Sequence, residues 1–416
     1  MSAPSSKLTF FRQSGWLVFA TVAGGVLMFA VHKAAGKMDK AEYGLFGTLL
    51  QALNLMTIVA MGLQTVVMRQ TVAASTESQQ REVNRAVRVL LGGTLAATLA
   101  VALGALVFQQ DLLASLKISN PAALWLTVAW VLWVLWLFIF VGVMQGRQNF
   151  LWMGWCKILE GVLRLVAVGV IVLWLGGQAA GAATGVLIAL AGTAAIGAWQ
   201  TRAIWLGPGE PVRWGDWIRR VLPLIFGPGA VLFMMSLDMI VVRKFFPQED
   251  TGYYAAAGMI GRAVMFLTAP MTAVMFPKIV ASAARSEKSN AMMLALGATA
   301  LLGAGAGLFC TFFPSLPLRV VFDPTYLKVA TPLVPWFGWC MLPLTLSTVL
   351  VNNLVAREIY RAVPWLWLVA LGYGVALLRF HGSLLQVVQI LGGFGLLLVA
   401  VALWFTMRAK PLPPAA

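Results

Sequence analysis

The chain has 416 residues, 60% of them hydrophobic and 11% charged, with a net charge of +16. Soluble domains carry about 25% charged residues, so this composition excludes a water-soluble protein and describes a polytopic membrane protein. The basic excess does not point to nucleic acid either, because Lys and Arg cluster in the short connections between apolar runs, where they set membrane topology.

Apolar runs of roughly 20 residues cross a bilayer as helices, and twelve follow one another along the chain. They are Gln13–Val31, Tyr43–Met68, Val89–Phe108, Ala122–Met144, Leu151–Leu175, Ala179–Gln200, Val221–Val242, Thr251–Pro277, Ala291–Leu318, Val329–Ala356, Ala362–Leu378 and Gly382–Met407. A β-barrel is excluded, since barrel strands alternate over about 10 residues and these runs are continuously apolar. The first run outlasts a typical signal-peptide core and leads into His32-Lys33 without a small-x-small cleavage site, so it is expected to stay in the mature chain. With the N-terminus inside, cytoplasmic connections hold roughly twice the Lys and Arg of the outer ones. Both termini are therefore expected in the cytoplasm, a placement that anionic membrane lipid reinforces.

The chain reads as though it were written twice. His32-Lys33, Asp39, Tyr43-Gly44, Gly47 and Gln51 in the first half correspond, after a gapless shift of 211 positions, to Arg243-Lys244, Asp250, Tyr254-Ala255, Gly258 and Arg262. The joint is the basic segment Arg202–Arg220, with Gly207-Pro208-Gly209-Glu210-Pro211 inside it. Two six-helix lobes follow, 1–206 and 207–416, and duplicated bundles of this kind usually place a transport site between the halves. The longest other connections, Arg69–Arg88 and Lys278–Asn290, hold equivalent places, and Lys410–Ala416 is a Pro-rich tail.

Five charges fall inside runs: Lys157, Glu160, Arg164, Asp238 and Arg262. Each costs at least a few kcal/mol at membrane depth, so each is expected to face the bundle interior or a wet cavity. Lys157, Glu160 and Arg164 share one helical face by their spacing. They form either a self-neutralising cluster or a cavity wall with one surplus positive charge. Pro223 and Gly227-Pro228-Gly229 are expected to break run seven, Pro270 lies in run eight, and Pro332, Pro335 and Pro343 are expected to bend run ten. Such breaks serve as packing kinks or as a hinge. Arg262 has no acid within a turn on its own helix, so it must meet Asp238, Glu160 or a ligand. A guanidinium suits bidentate phosphate binding. Asp238 and Glu160 are the acids within runs and the candidates for coupling transport to a proton or sodium ion. Lys33, Arg243 and Lys244 at the outer ends, and Arg69 with Lys278 at the inner ends, are either topological anchors or arms of a basic cleft. Cys156, Cys310 and Cys340 are odd in number and lack a CxxC or Cys/His cluster, so neither disulfides nor a metal site is expected. No cofactor is expected.

The strings YGLFGTLLQALNLMTIVAMGLQTVVMRQTVA (Tyr43–Ala73) and LDMIVVRKFFPQEDTGYYAAAGMIGRAVMFLTAPMTAVMFPKIVAS (Leu237–Ser282) resemble bacterial polysaccharide biosynthesis proteins of the flippase type. These belong to the superfamily that includes multidrug and toxin extruders and the peptidoglycan lipid flippase. The resemblance implies an all-α fold of two pseudo-symmetric lobes around a central cationic cavity that alternates between faces. The substrate it implies is an oligosaccharide linked to a polyprenyl diphosphate. Positions matching the family's cavity-lining basic residues are Arg69 and Gln51 in the first lobe and Arg262 in the second; Gln51 departs from the charged pattern. The expected function is thus a lipid-linked oligosaccharide flippase of the bacterial cytoplasmic membrane, binding through Arg262, Arg164, Lys157, Gln51, Arg69, Lys33, Arg243 and Lys244. The run charges are three basic and two acidic, which favours an anionic substrate over the cation of a drug antiporter. A polysaccharide polymerase or ligase is disfavoured because such enzymes work in a sizeable outer loop with catalytic residues. Here the outer connections are short, and His32 and His381 are isolated.

Overall fold

The computed structural model describes residues 4–212, 214–263, 291–357 and 359–408. The second half of run eight with Pro270, the connection beginning at Lys278 and the tail after Arg408 lie outside the described residues. Regular structure among the described residues is helical throughout. The long helices are α1 (Pro4–Ala35), α2 (Lys40–Ala73), α3 (Glu77–Val107), α4 (Pro121–Gly146), α5 (Phe150–Gly169), α6 (Ala179–Gln200) and α7 (Trp214–Phe245). They continue with α8 (described from 248 to 263), α9 (Ala291–Phe312), α10 (Leu333–Ala356), α11 (Val363–Arg379) and α12 (Leu384–Met407). Among the described residues, ten of these are long and apolar enough to cross a membrane. The exceptions are α5, which carries Lys157, Glu160 and Arg164 within 20 residues, and α8, described only in part. The chain is a multi-pass, all-α membrane protein.

Several boundaries differ from the hydropathy reading. The stretch 69–88 is mostly helix rather than connection, with only 74–76 between α2 and α3. Thr76 explains the early start. Its Oγ1 accepts from the Gln79 amide at 3.3 Å while Gln79 Oε1 accepts from the Thr76 amide at 3.2 Å, a reciprocal cap that satisfies two orphan donors. Hydropathy marks where an apolar medium begins, and capping marks where the helix begins. The segment 207–212 then lies along the first turns of α3. Asn84 Nδ2 donates to the Pro208 carbonyl at 2.9 Å, and the Glu210 amide donates to the Arg81 carbonyl at 3.1 Å.

The prolines also act differently from expectation. Pro223 and Gly227-Pro228-Gly229 do not break α7, which stays helical from Trp214 to Phe245. Neighbouring helices support this stretch as membrane prolines require. A Cβ at Gly227 would lie 3.0 Å from Val355 Cγ2, and Trp367 Nε1 donates to the Phe226 carbonyl at 2.8 Å. Pro332 is the N-cap of α10 and Pro335 sits in its first turn, where amide hydrogens have no helical partner to lose. They start the helix rather than bend it. Pro343 alone is internal to α10. Run nine ends early, at Phe312, since the residue before Pro314 disfavours the helical region.

By packing, the chain divides into two compact units. One contains residues up to Met38 together with Met56–Leu222; the other contains Asp39–Leu55 together with residues from Pro223 onward. In the first unit α1 packs on α5, α5 and α4 pack on α6, and α3 packs on α4. Val67, Val83, Val87, Ile139, Val143 and Ile204 form a buried cluster there. Trp130 is fully buried and donates to the Ala183 carbonyl at 3.0 Å, so its polar edge is satisfied.

In the second unit α10 packs on α9 and α12, and α11 packs on α12. The opening turns of α2 belong to this unit and cross the start of α8 at backbone contact. A Cβ on Gly44 would lie 2.6 Å from the Gly252 amide nitrogen, and one on Gly252 would strike the Lys40 carbonyl. Only glycine permits that approach. Tyr43 seals it, with Oη donating to Met259 Sδ at 3.8 Å and its ring 5.1 Å from Phe322 and 6.1 Å from Tyr326.

Candidate functional site

Four of the five charges within the apolar runs form two arginine–carboxylate pairs, one in each unit. In the first unit α5 carries both partners. Four residues separate Glu160 from Arg164, a little over one turn, so the side chains meet on one face. Arg164 Nη2 donates to Glu160 Oε1 at 2.8 Å, with 12% of the Arg164 and 14% of the Glu160 side chain exposed. Arg164 Nε is buried without a hydrogen-bond partner among the described residues, and the guanidinium lies within electrostatic reach of His32 on α1. Lys157, one turn earlier, is exposed and takes no part in this bonding.

In the second unit the partners stand on different helices. Asp238 on α7 is wholly buried, and Arg262 on α8 has 11% of its side chain exposed. Arg262 Nη2 donates to both carboxylate oxygens, at 2.8 Å to Oδ1 and 2.6 Å to Oδ2. It also donates to the Met235 carbonyl at 3.2 Å, with Nε at 3.4 Å from the same oxygen. Tyr254 Oη, buried on α8, donates to Asp238 Oδ2 at 2.8 Å. The Arg262 guanidinium lies 5.8 Å from the centre of the Phe337 ring, close enough for a cation–π contribution.

Gly258 makes room for this arrangement. It precedes Arg262 by one turn, and any Cβ there would collide with Arg262 Nη1 and come within 3.2 Å of Phe337 Cζ. The guanidinium therefore folds back over its own helix into the gap that glycine leaves. Tyr373 on α11 completes the surroundings. It is fully buried, its hydroxyl has no hydrogen-bond partner among the described residues, and it lies within electrostatic reach of Asp238 and Arg262.

The other expected site residues scatter. Gln51 is half-buried and accepts from Asn54 Nδ2 at 3.0 Å. Arg243 is 1% exposed, and its Nη1 donates to the Ala41 carbonyl at 2.9 Å, which ties the end of α7 to the start of α2. As placed, it braces the fold rather than lining an open cleft. Lys33, Lys244 and Arg69 are exposed at helix ends. Of the alternatives open for Arg262, the structure brings it to Asp238. Tyr254 was visible only as a repeat landmark, while Tyr373, Phe337 and the Met235 carbonyl carried no sequence signal. Gly258 stood in the repeat register, yet nothing in the sequence tied it to the guanidinium. Among the described residues no cluster of three or more His, Cys, Asp or Glu could hold a metal ion, and the three cysteines are buried free thiols.

Solved structures share this fold across nearly the whole chain at low identity. An inward-facing multidrug resistance MATE family transporter of the MOP superfamily aligns with a TM-score of 0.73 at 14% identity, covering 94% of each chain. The lipid II flippase MurJ in an inward closed conformation aligns with a TM-score of 0.76 at 12% identity, covering 96% of this chain and 88% of that one. A MOP superfamily transporter from Pyrococcus furiosus Vc1 (DSM3638), described by the reverse polarity of its binding pocket, aligns at 0.64 with 15% identity over 95% of both chains. No curated protein matches the sequence. Residues 13–282, more than half of the chain, match the polysaccharide biosynthesis protein family, and the chain belongs to that family.

Proposed function

We propose that this protein is a flippase that carries a polyprenyl-diphosphate-linked oligosaccharide across a bacterial cytoplasmic membrane by alternating access of two six-helix lobes. Family membership supports a glycan-assembly role. The observation that carries the substrate's charge is Arg262, a guanidinium held inside an apolar helix bundle and left partly exposed. An arginine at membrane depth is costly and by default functional, and its planar fork suits a diphosphate. Arg164, Lys157 and Gln51 are assigned to the same substrate as secondary contacts, with Asp238 and Glu160 as the groups able to take up a coupling proton or sodium ion. Flipping needs no bond made or broken, so no residue is given a catalytic role.

A drug or cation antiporter is the second reading, favoured by the wholly buried carboxylate of Asp238 and by the shared fold of the MATE transporters. Reconstitution separates the two. Proteoliposomes should move a polyprenyl-diphosphate oligosaccharide faster than protein-free vesicles, and Arg262→Ala should abolish the gain. Export of a lipophilic cation with no effect on the lipid diphosphate would sink the flippase reading.

A further inference from the structure

Resting on the reading of Arg262 as an anion-binding group, we propose that Asp238 is a resident substitute for the substrate's phosphate, which displaces it from Arg262 on binding, with the Tyr254 and Tyr373 hydroxyls donating to the released carboxylate. The pair is not the parallel two-nitrogen fork that makes Arg–carboxylate contacts strongest. Of the three guanidinium nitrogens, Nη2 alone reaches the oxygens of Asp238. Nε reaches only the Met235 carbonyl at 3.4 Å, and Nη1 has no hydrogen-bond partner among the described residues. A diphosphate brings more charge and more acceptor oxygens, so it can use the donors that Asp238 leaves idle.

Exchange would be prohibitive if it stranded a buried carboxylate. The surroundings of Asp238 avoid this. Tyr254 already donates to Oδ2 at 2.8 Å. Tyr373 keeps an unpartnered hydroxyl in full burial within electrostatic reach of Asp238. The two helices are tightly packed there, since a Cβ on Gly374 would lie 3.2 Å from Leu237 Cδ2. A buried hydroxyl without a partner carries a desolvation cost, and a second conformation in which it binds Asp238 accounts for its presence. Gly258 is the positioning residue of the parked state, because any side chain there pushes the guanidinium off its seat.

Binding of inorganic diphosphate to the purified full chain, measured by titration calorimetry, tests this. Asp238→Asn should bind at least about tenfold more tightly than wild type, because the competing charge is gone. Gly258→Ala should also bind more tightly, with both charges retained, and it carries the test if Asp238→Asn does not fold. Tyr373→Phe should leave the anion-free melting temperature unchanged or raised but weaken binding by a few-fold, about the worth of one hydrogen bond. Equal or weaker binding by both Asp238→Asn and Gly258→Ala, or no diphosphate binding by any variant, overturns the exchange site. Exchange that behaves as described, alongside no lipid translocation in proteoliposomes, instead overturns the flippase reading and leaves the exchange site standing.

Discussion

The two arginine–carboxylate pairs are alike in chemistry and opposite in construction. Glu160 and Arg164 lie on one helix, joined by one hydrogen bond at 2.8 Å, and both stay partly exposed. Asp238 and Arg262 join two helices through a carboxylate with no exposure, fixed also by Tyr254. The repeat register makes the contrast sharper. Leu27 stands where Asp238 stands in the second half, and it packs against α5, its Cβ 2.8 Å from where a Cβ on Gly161 would lie. The same register position thus packs a half-buried leucine in one unit and buries a charge in the other. An intrahelical pair can be lost without moving a helix. An interhelical pair is part of the packing, so changing its state changes what holds α7 to α8.

The largest expected effect follows from that difference. Arg262→Ala leaves the Asp238 carboxylate buried and unpaired, which costs about 3–5 kcal/mol, and the detergent-solubilised protein should melt correspondingly earlier. Adding Asp238→Asn should recover most of the loss; no recovery would mean that Arg262 stabilises through packing rather than charge. Next comes the α2–α8 crossing within the second unit. Gly252→Ala puts a methyl group against the Lys40 carbonyl, an overpacking that costs about 1–3 kcal/mol. A cysteine pair across the same turn, Gly44→Cys with Thr251→Cys, should crosslink in membranes, and failure to do so would contradict the backbone contact. Glu160→Gln should cost less than Arg262→Ala, about 1 kcal/mol, because Arg164 keeps an exposed edge and an amide oxygen still accepts from it. An equal cost at both sites would erase the distinction between the pairs.

The sequence carried much of the architecture, since apolar runs of bilayer length are a direct physical demand, and each run found a helix among the described residues. It carried the shared face of Lys157, Glu160 and Arg164 for the same reason, because spacings of three and four residues are geometry written along one helix. Which cation Glu160 takes, Arg164, came from the structure. The Asp238–Arg262 contact spans 24 residues and two helices, and the sequence could offer it only as one of three outcomes for an arginine lacking a local acid. Tyr373 was out of reach, because a buried tyrosine on an apolar helix reads like any other packing residue. Arg243 was legible as a helix-end cation but not as a brace on Ala41, since topology and packing both place arginines there. The helix across 77–88 was missed because hydropathy was asked a question that belongs to Thr76 and Gln79.

Tyr254→Phe removes a single oxygen and tests how much of the hold on Asp238 comes from that hydroxyl. Tyr43 and Tyr254 are equivalent by register and both are buried, yet the first donates to a thioether and the second to a carboxylate. A hydrogen bond to a charged group contributes about 1.5–3 kcal/mol, and a thioether is a weak acceptor. Tyr254→Phe should therefore lower the melting temperature more than Tyr43→Phe in the same preparation, and Asp238→Asn should shrink the gap, because a neutral amide is the weaker acceptor. Equal shifts from the two tyrosines would mean that Arg262 alone satisfies Asp238. The second hydroxyl around that carboxylate would then be packing, and the carboxylate would have one anchor fewer when the arginine leaves.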